Sequence, residues 1–152
     1  MEGTEVIPDK IVQAVGGGGR HQFFRPTVVV VDDDAQVRRL ASIILNRKGY
    51  QVLEAGGADE AIVLLDQLSA SGATTPGCCV VLLDIMMPGT DGITLCRRIK
   101  SEFDVAVIMF TGRAAYTDVQ TAIRSGADDY LVKPFTVETL AEKVARHIRV
   151  GS

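Results

Sequence analysis

Tryptophan is absent from the 152-residue chain, and aromatic residues make up only 5% of it. A core must therefore be built mainly from aliphatic side chains. Cysteine is scarce, with three residues in all, and Cys78 and Cys79 are adjacent. That count and spacing exclude a disulfide framework and read instead as small buried hydrophobes in a reducing compartment. The only histidines are His21 and His147, too few and too scattered to complete a zinc site with those cysteines. No apolar run reaches the roughly 18 residues that a transmembrane helix needs. The N-terminus lacks a basic stretch followed by an apolar one, so a signal peptide is not expected. Positive charge is not in excess: the formal net charge is −3. That balance argues against nucleic acid as a direct partner through bulk charge. The expectation is a cytoplasmic protein with neither a membrane nor a nucleic acid among its direct partners.

What is present is a regular alternation. Residues 1–25 stand apart as an extension, with Gly16-Gly17-Gly18-Gly19 as a flexible spacer by composition. From Thr27 onward, apolar β-branched runs alternate with helical spacing. Strands are expected at Thr27–Val31, Tyr50–Ala55, Cys79–Leu83, Val105–Phe110 and Asp129–Val132. Between and after them lie helix faces: Val37, Leu40, Ala41 and Ile44; Ala58, Ala61, Ile62 and Leu65; Leu95, Cys96 and Ile99; Val119, Ala122 and Ile123. The last is Val137, Leu140, Ala141, Val144 and Ile148. Gly49 and Gly126 punctuate helix ends, and Asp91 is a good N-cap. Such alternation predicts one α/β domain over residues 26–149. Its sheet is doubly wound and parallel, with helices on both faces and right-handed crossovers. No room remains within these residues for a second domain.

In a parallel sheet of this kind, sites form at the carboxyl edge of the strands. Asp32, Asp33 and Asp34 follow the first strand, Asp84 the third, Thr111 the fourth and Lys133 the fifth. If the strand order reverses beside the first strand, strands one and three are neighbours, and Asp32, Asp33 and Asp84 converge. Like charges that close cost free energy unless a cation compensates. Oxygen-only ligands suit magnesium, which is held by one or two carboxylates plus a phosphoryl oxygen. Asp34 is explained more simply as a cap on the first helix. The Thr111 hydroxyl can donate to a phosphoryl oxygen, and the Lys133 ammonium can pair with one. A cis bond at Lys133-Pro134 would fix the direction of the lysine.

These segments resemble the receiver domain of bacterial two-component response regulators. The resemblance rests on Val29–Asp34, Leu82–Gly92, Phe110–Gly112 and Gly126–Phe135, in that order, and spans about residues 27–149. It implies a flavodoxin-like (βα)5 fold with strands ordered 2-1-3-4-5. It implies that Asp84 is the phosphoacceptor and that Asp33 binds magnesium directly, with Asp32 helping. The backbone carbonyl of Met86 would complete the protein ligands. Thr111 and Lys133 would contact the phosphoryl oxygens, and Tyr130 would be the aromatic switch. The phosphoryl group would come from a sensor histidine kinase or a histidine phosphotransferase. Asp84 would serve as a signalling phosphoacceptor rather than as an enzyme nucleophile. A downstream protein would read the face formed by the fourth helix, fifth strand and fifth helix.

Some positions depart from the family pattern. Gly112 stands where alanine is common. Met86 and Arg113 occupy positions that govern how water reaches an acyl phosphate, and their bulk predicts slow self-dephosphorylation. Val119 and Thr139 replace charges expected for a phosphorylation-dependent homodimer, although Asp128, Asp129 and Lys143 are available. An apolar face around Val119 could dock a partner protein instead. One alternative is a receiver cut from a larger regulator or hybrid kinase. Another is a receiver-like module that no longer accepts phosphate, which the intact Asp33, Asp84, Thr111 and Lys133 oppose. A different class, a magnesium-dependent phosphatase of the haloacid dehalogenase type, would match Asp32-x-Asp34, Thr111 and Lys133 in order. Its nucleophile would follow the first strand, and it usually carries a cap insertion that this chain lacks.

Overall fold

The first strand, β1 (Thr27–Val31), is buried along its whole length. A run of one threonine and four valines favours extended backbone, because branching at Cβ restricts χ1 and packs well on a pleat. The computed structural model describes residues 25–112, 120 and 123–149. After β1 come α1 (Ala35–Arg47), β2 (Gln51–Ala55), α2 (Ala58–Ala70) and β3 (Cys79–Asp84). A short hairpin follows, β4 (Met86–Met87) and β5 (Thr90–Asp91), then α3 (Gly92–Glu102), β6 (Ala106–Thr111), β7 (Asp129–Val132) and a C-terminal helix (Val137–Arg146). The expected fourth helix falls largely outside the described residues, as do Val119, Ala122 and Arg113. Gln120, Ile123 and Arg124 are helical.

Five strands form one sheet in the order β2-β1-β3-β6-β7. Every pairing in it is parallel. Counting these five alone, the order is 2-1-3-4-5, the flavodoxin-like arrangement expected from the sequence. The order reverses between β1 and β3, which places their carboxyl ends side by side, with Val31 opposite Leu83.

The sheet separates two cores, and alternate residues of each strand serve them in turn. Val29, Val31, Val81, Leu83, Val107 and Met109 pack with Leu65 of α2 and Leu95, Cys96 and Ile99 of α3. Val28, Val30, Val80, Leu82, Ile108 and Phe110 pack with Ala41, Ile44 and Leu45 of α1 and Leu140 and Val144 of the C-terminal helix. All three cysteines are buried free thiols. Burial pushes the Cys79 thiol up to about 12, so it behaves as a small hydrophobe.

Asp34, Gly49 and Asp91 bound their helices as expected, and Thr136 adds a cap beyond those expected. The Asp34 side chain caps α1 by accepting from the N–H groups of Gln36 and Val37. Gly49 follows with φ of 98°, a left-handed conformation that needs no Cβ penalty in glycine. Asp91 caps α3 through the Ile93 N–H, and Thr136 forms a capping box with Thr139. Three inward assignments are corrected, the first being Ile123, which is 55% exposed. Leu40 is 50% exposed and Leu45 takes its place in the core, while Val137, at the first turn of its helix, is 45% exposed.

Gly92 is a sterically constrained position. A Cβ there would lie 2.6 Å from the Ile85 Cα and 2.9 Å from the Asp84 carbonyl oxygen. Both are backbone atoms, so neither can rotate away. Gly92→Ala should lower the unfolding free energy by about 1–3 kcal/mol, read by urea denaturation. An unchanged midpoint would show that the β3–α3 junction yields easily.

Candidate functional site

Buried strands deliver polar side chains only where they end, because a charge inside either core would be left without water or partner. At the carboxyl edge, three strand ends deliver charged side chains. Asp32 and Asp33 follow β1, Asp84 closes β3, and Lys133 follows β7. One oxygen from each of Asp32, Asp33 and Asp84 lies within 4.8 Å of the others. Asp32 is fully buried, Asp84 is 4% exposed, and Asp33 is exposed.

Lys133 joins the carboxylates. Its Nζ donates to Asp32 Oδ2 at 2.6 Å and approaches Asp84 Oδ2 at 3.4 Å. The ammonium also lies 4.8 Å from the centre of the Phe110 ring, which packs against Phe135 with centroids 5.4 Å apart. The Lys133-Pro134 bond is cis, as the sequence suggested. The Lys133 N–H donates to the Thr111 carbonyl at 2.7 Å, tying the ends of β6 and β7 together. Thr111 is buried at the same edge.

Asp32 is held at several points. Its N–H donates to the Ala55 carbonyl of β2 at 3.1 Å, and its Oδ1 accepts from the Asp34 N–H at 2.9 Å. Its carbonyl accepts from Arg38 Nη1 at 2.6 Å. Asp84 Oδ1 accepts from the Met86 N–H at 3.0 Å. Met86 itself is 53% exposed beside the site.

Three carboxylates face one ammonium, so the site carries excess negative charge. Burial pushes the Asp84 carboxyl up to about 6, and the nearby Asp32 charge pushes the same way, against the Met86 N–H and Lys133. Burial alone would depress Lys133, yet its bond to Asp32 and the charges of Asp84 and Asp32 hold it above the usual lysine range. Oxygen donors at this spacing, with a surplus of anionic charge, fit a hard divalent cation such as magnesium.

Tyr130 points outward, 37% exposed, with Lys143 Nζ 5.0 Å from its ring centre. The neighbouring charges are engaged within the chain. Asp129 pairs with Lys143 at 2.8 Å, His147 at 3.0 Å and Arg146 at 3.6 Å. Burial works against ionisation of Asp129, but the bonds from Lys143 and His147 outweigh it and hold the carboxyl below its ordinary range. Asp128 accepts from Lys100 at 2.9 Å and from the Val107 N–H at 2.8 Å. The charges expected to be available for dimer contacts are thus paired internally.

Sequence reasoning missed Arg38, Glu54 and Gly92. Arg38 was visible only as a polar residue on a helix flank, and Glu54 only as a charge inside a short strand.

The raised Asp84 carboxyl has a consequence for stability. Between the ordinary aspartate value of 3.8, which the unfolded chain has, and about 6, the folded state binds more protons than the unfolded one. Stability in metal-free solution should therefore fall as pH rises through this window. Asp84→Asn should remove that slope and stabilise the protein at pH 7 by on the order of 2 kcal/mol. Denaturation curves at pH 4 and pH 7 in the presence of a chelator test this; equal slopes in both proteins would refute it.

Comparison with known proteins agrees with this geometry. The family model described as the response regulator receiver domain matches residues 28–145. The transcriptional regulatory protein ResD of Bacillus subtilis is 38% identical over 118 residues, covering 78% of this chain and 46% of ResD. The transcriptional regulatory protein AruR of Pseudomonas aeruginosa is 39% identical over 113 residues, covering 74% of this chain and 45% of AruR. The chain thus spans less than half the length of these relatives. Among solved structures, a response regulator from Thermotoga maritima superposes with a TM-score of 0.71 at 28% identity, covering 82% of this chain and 98% of that one. The BeF3-activated receiver domain of Klebsiella pneumoniae RstA gives 0.70 at 27% identity, covering 80% and 97%. With its strand order, its acidic cluster and these matches taken together, the chain belongs to the receiver domain family of two-component response regulators.

Proposed function

We propose that Asp84 is the phosphoacceptor of this receiver, with residues 26–149 as the working unit. The observation that carries the reading is the convergence of Asp32, Asp33, Asp84 and Lys133 from three separate strand ends. Asp33 and Asp84 would hold magnesium with the Met86 carbonyl, and Asp32 would support it. Bound there, the ion would neutralise phosphoryl oxygens.

The residues of the chain account for the transfer. With its carboxyl near 6, Asp84 is mostly ionised at pH 7 and can act as a nucleophile. One carboxylate oxygen attacks phosphorus in line. The bond from phosphorus to the partner's histidine nitrogen breaks, and its electron pair returns to the imidazole. Lys133 neutralises charge on the equatorial oxygens. Thr111 donates to one of them, and its inward shift gives Tyr130 room to turn in from its exposed position. The face around β7 and the C-terminal helix then changes its population of conformers.

The phosphoryl donor is a histidine kinase or a histidine phosphotransferase, and the reader is a downstream protein on that face. The receiver region itself makes no direct nucleic-acid contact in this reading. A mycobacterial relative at 33% identity is named a DNA-binding response regulator, and this chain covers 48% of its length. A phosphorylation-driven homodimer would have to release Asp129 from its internal partners. The family match leaves the haloacid dehalogenase alternative without support.

Exposure to acetyl phosphate with magnesium, followed by intact mass measurement, should add one phosphoryl group per chain. Asp84→Ala should add none, and Lys133→Ala should slow the reaction about 100-fold or more. Labelling of Asp84→Ala at the rate of the native protein would end the reading. Replacing Met86 and Arg113 together with small polar residues should shorten the phosphoryl lifetime about tenfold, the equivalent of about 1.4 kcal/mol of barrier. An unchanged lifetime would show that their bulk does not shield the acyl phosphate.

A further inference from the structure

We infer that Arg38 is a positioning residue for the metal-binding acids: by gripping the Asp32 carbonyl while braced on Glu54, it fixes the peptide from which Asp33 emerges. The inference rests on the phosphoacceptor reading and deepens it.

The geometry is specific. Arg38 Nη1 donates to the Asp32 carbonyl at 2.6 Å, and Arg38 Nε donates to Glu54 Oε1 at 3.3 Å. The other Glu54 oxygen accepts from Ser42 Oγ at 2.8 Å. Arg38 and Ser42 lie on α1, four residues apart and so on one helix flank. Glu54 immediately precedes Ala55, whose carbonyl accepts the Asp32 N–H at 3.1 Å. The end of β2 therefore holds Asp32 by two routes, one through backbone and one through Glu54 and Arg38.

Asp33 needs such a restraint. Its side chain is exposed, and among the described residues no hydrogen bond or ion pair fixes its carboxylate. Only the backbone on either side can aim it. The Asp32 carbonyl belongs to the Asp32–Asp33 peptide, so orienting that oxygen orients the Asp33 Cα. A planar guanidinium can bond a carbonyl and a carboxylate at once, in a fixed fork that an ammonium cannot reproduce.

Charge and positioning predict opposite signs. Arg38 sits on the Asp32 carbonyl, so removing its charge would tighten binding of Mg2+ at the nearby acids if charge ruled. Loosening the peptide would weaken it if positioning ruled. The proposal is that positioning rules.

Calorimetric titration of Mg2+ into the metal-free protein separates the two. Arg38→Met should bind Mg2+ about tenfold more weakly, the scale seen when partners that orient metal ligands are lost. Arg38→Lys, which keeps the charge and loses the fork, should also bind more weakly than the native chain. Glu54→Gln should show a smaller loss of the same sign. Labelling of Arg38→Met by acetyl phosphate should slow at low Mg2+ and recover at saturating Mg2+. A merely structural role would lower the unfolding temperature and leave the Mg2+ constant of the folded protein unchanged.

Native-like or tighter Mg2+ binding by Arg38→Met overturns the inference. If that variant does not fold, unchanged Mg2+ binding in both Arg38→Lys and Glu54→Gln overturns it. Failure of the native chain itself to bind Mg2+ or accept a phosphoryl group would instead remove the phosphoacceptor reading, and this inference with it.

Discussion

The ion pair between Lys133 and Asp32, at 2.6 Å, is the interaction on which the site depends. Asp32 is fully buried, and a buried carboxylate without a counter-charge costs several kcal/mol. Lys133 supplies that charge from the far end of the chain, 101 residues away. Its reach requires β7 to run beside β6, with Lys133 bonded through its backbone to Thr111. It also requires β3 to separate β6 from β1, as the sheet order does. The topology thus places one ammonium over two strand-end acids. A net negative remainder is left at the acidic edge, the kind of charge a hard divalent cation would balance.

Much of this was legible in the sequence because the strands are chemically blunt. Runs such as Val28–Val31 and Val80–Leu83 can only be buried on both faces, and a strand buried on both faces implies helices on both sides. The polar residues that end them then stand out. Asp84 was visible because nothing about a helix cap explains it. The hairpin of β4 and β5 was not legible, since two-residue strands carry no period. Leu40 fits the helical spacing as well as Leu45 does, and only the way α1 is turned about its own axis, with Ala41, Ile44 and Leu45 inward, decides between them. The Arg38–Glu54 contact depends on β1 and β2 lying in register, with Val30 opposite Glu54. No local pattern announces a contact of that kind.

The outward surface near β7 shows a different economy of charge. Asp129 is engaged by Lys143, Arg146 and His147 of the C-terminal helix region, while Lys143 also stands over the Tyr130 ring. The side chains expected to meet partners are therefore coupled to one another first. Movement of Tyr130 would alter a surface whose charges are already linked, so shape and electrostatics would change together.

The division of each strand between two cores has one last implication. Valines, leucines and acids are counted off along a single alternating ladder, so the spacing that sorts aliphatic side chains also aims Asp32 and Asp84. Losing or gaining one residue within β1 or β3 would send every later side chain of that strand to the opposite layer. The acid at its tip would be misdirected by the same slip. In this protein the length of a strand is a reading frame, and the hydrophobic interior and the reactive edge are decoded from it together.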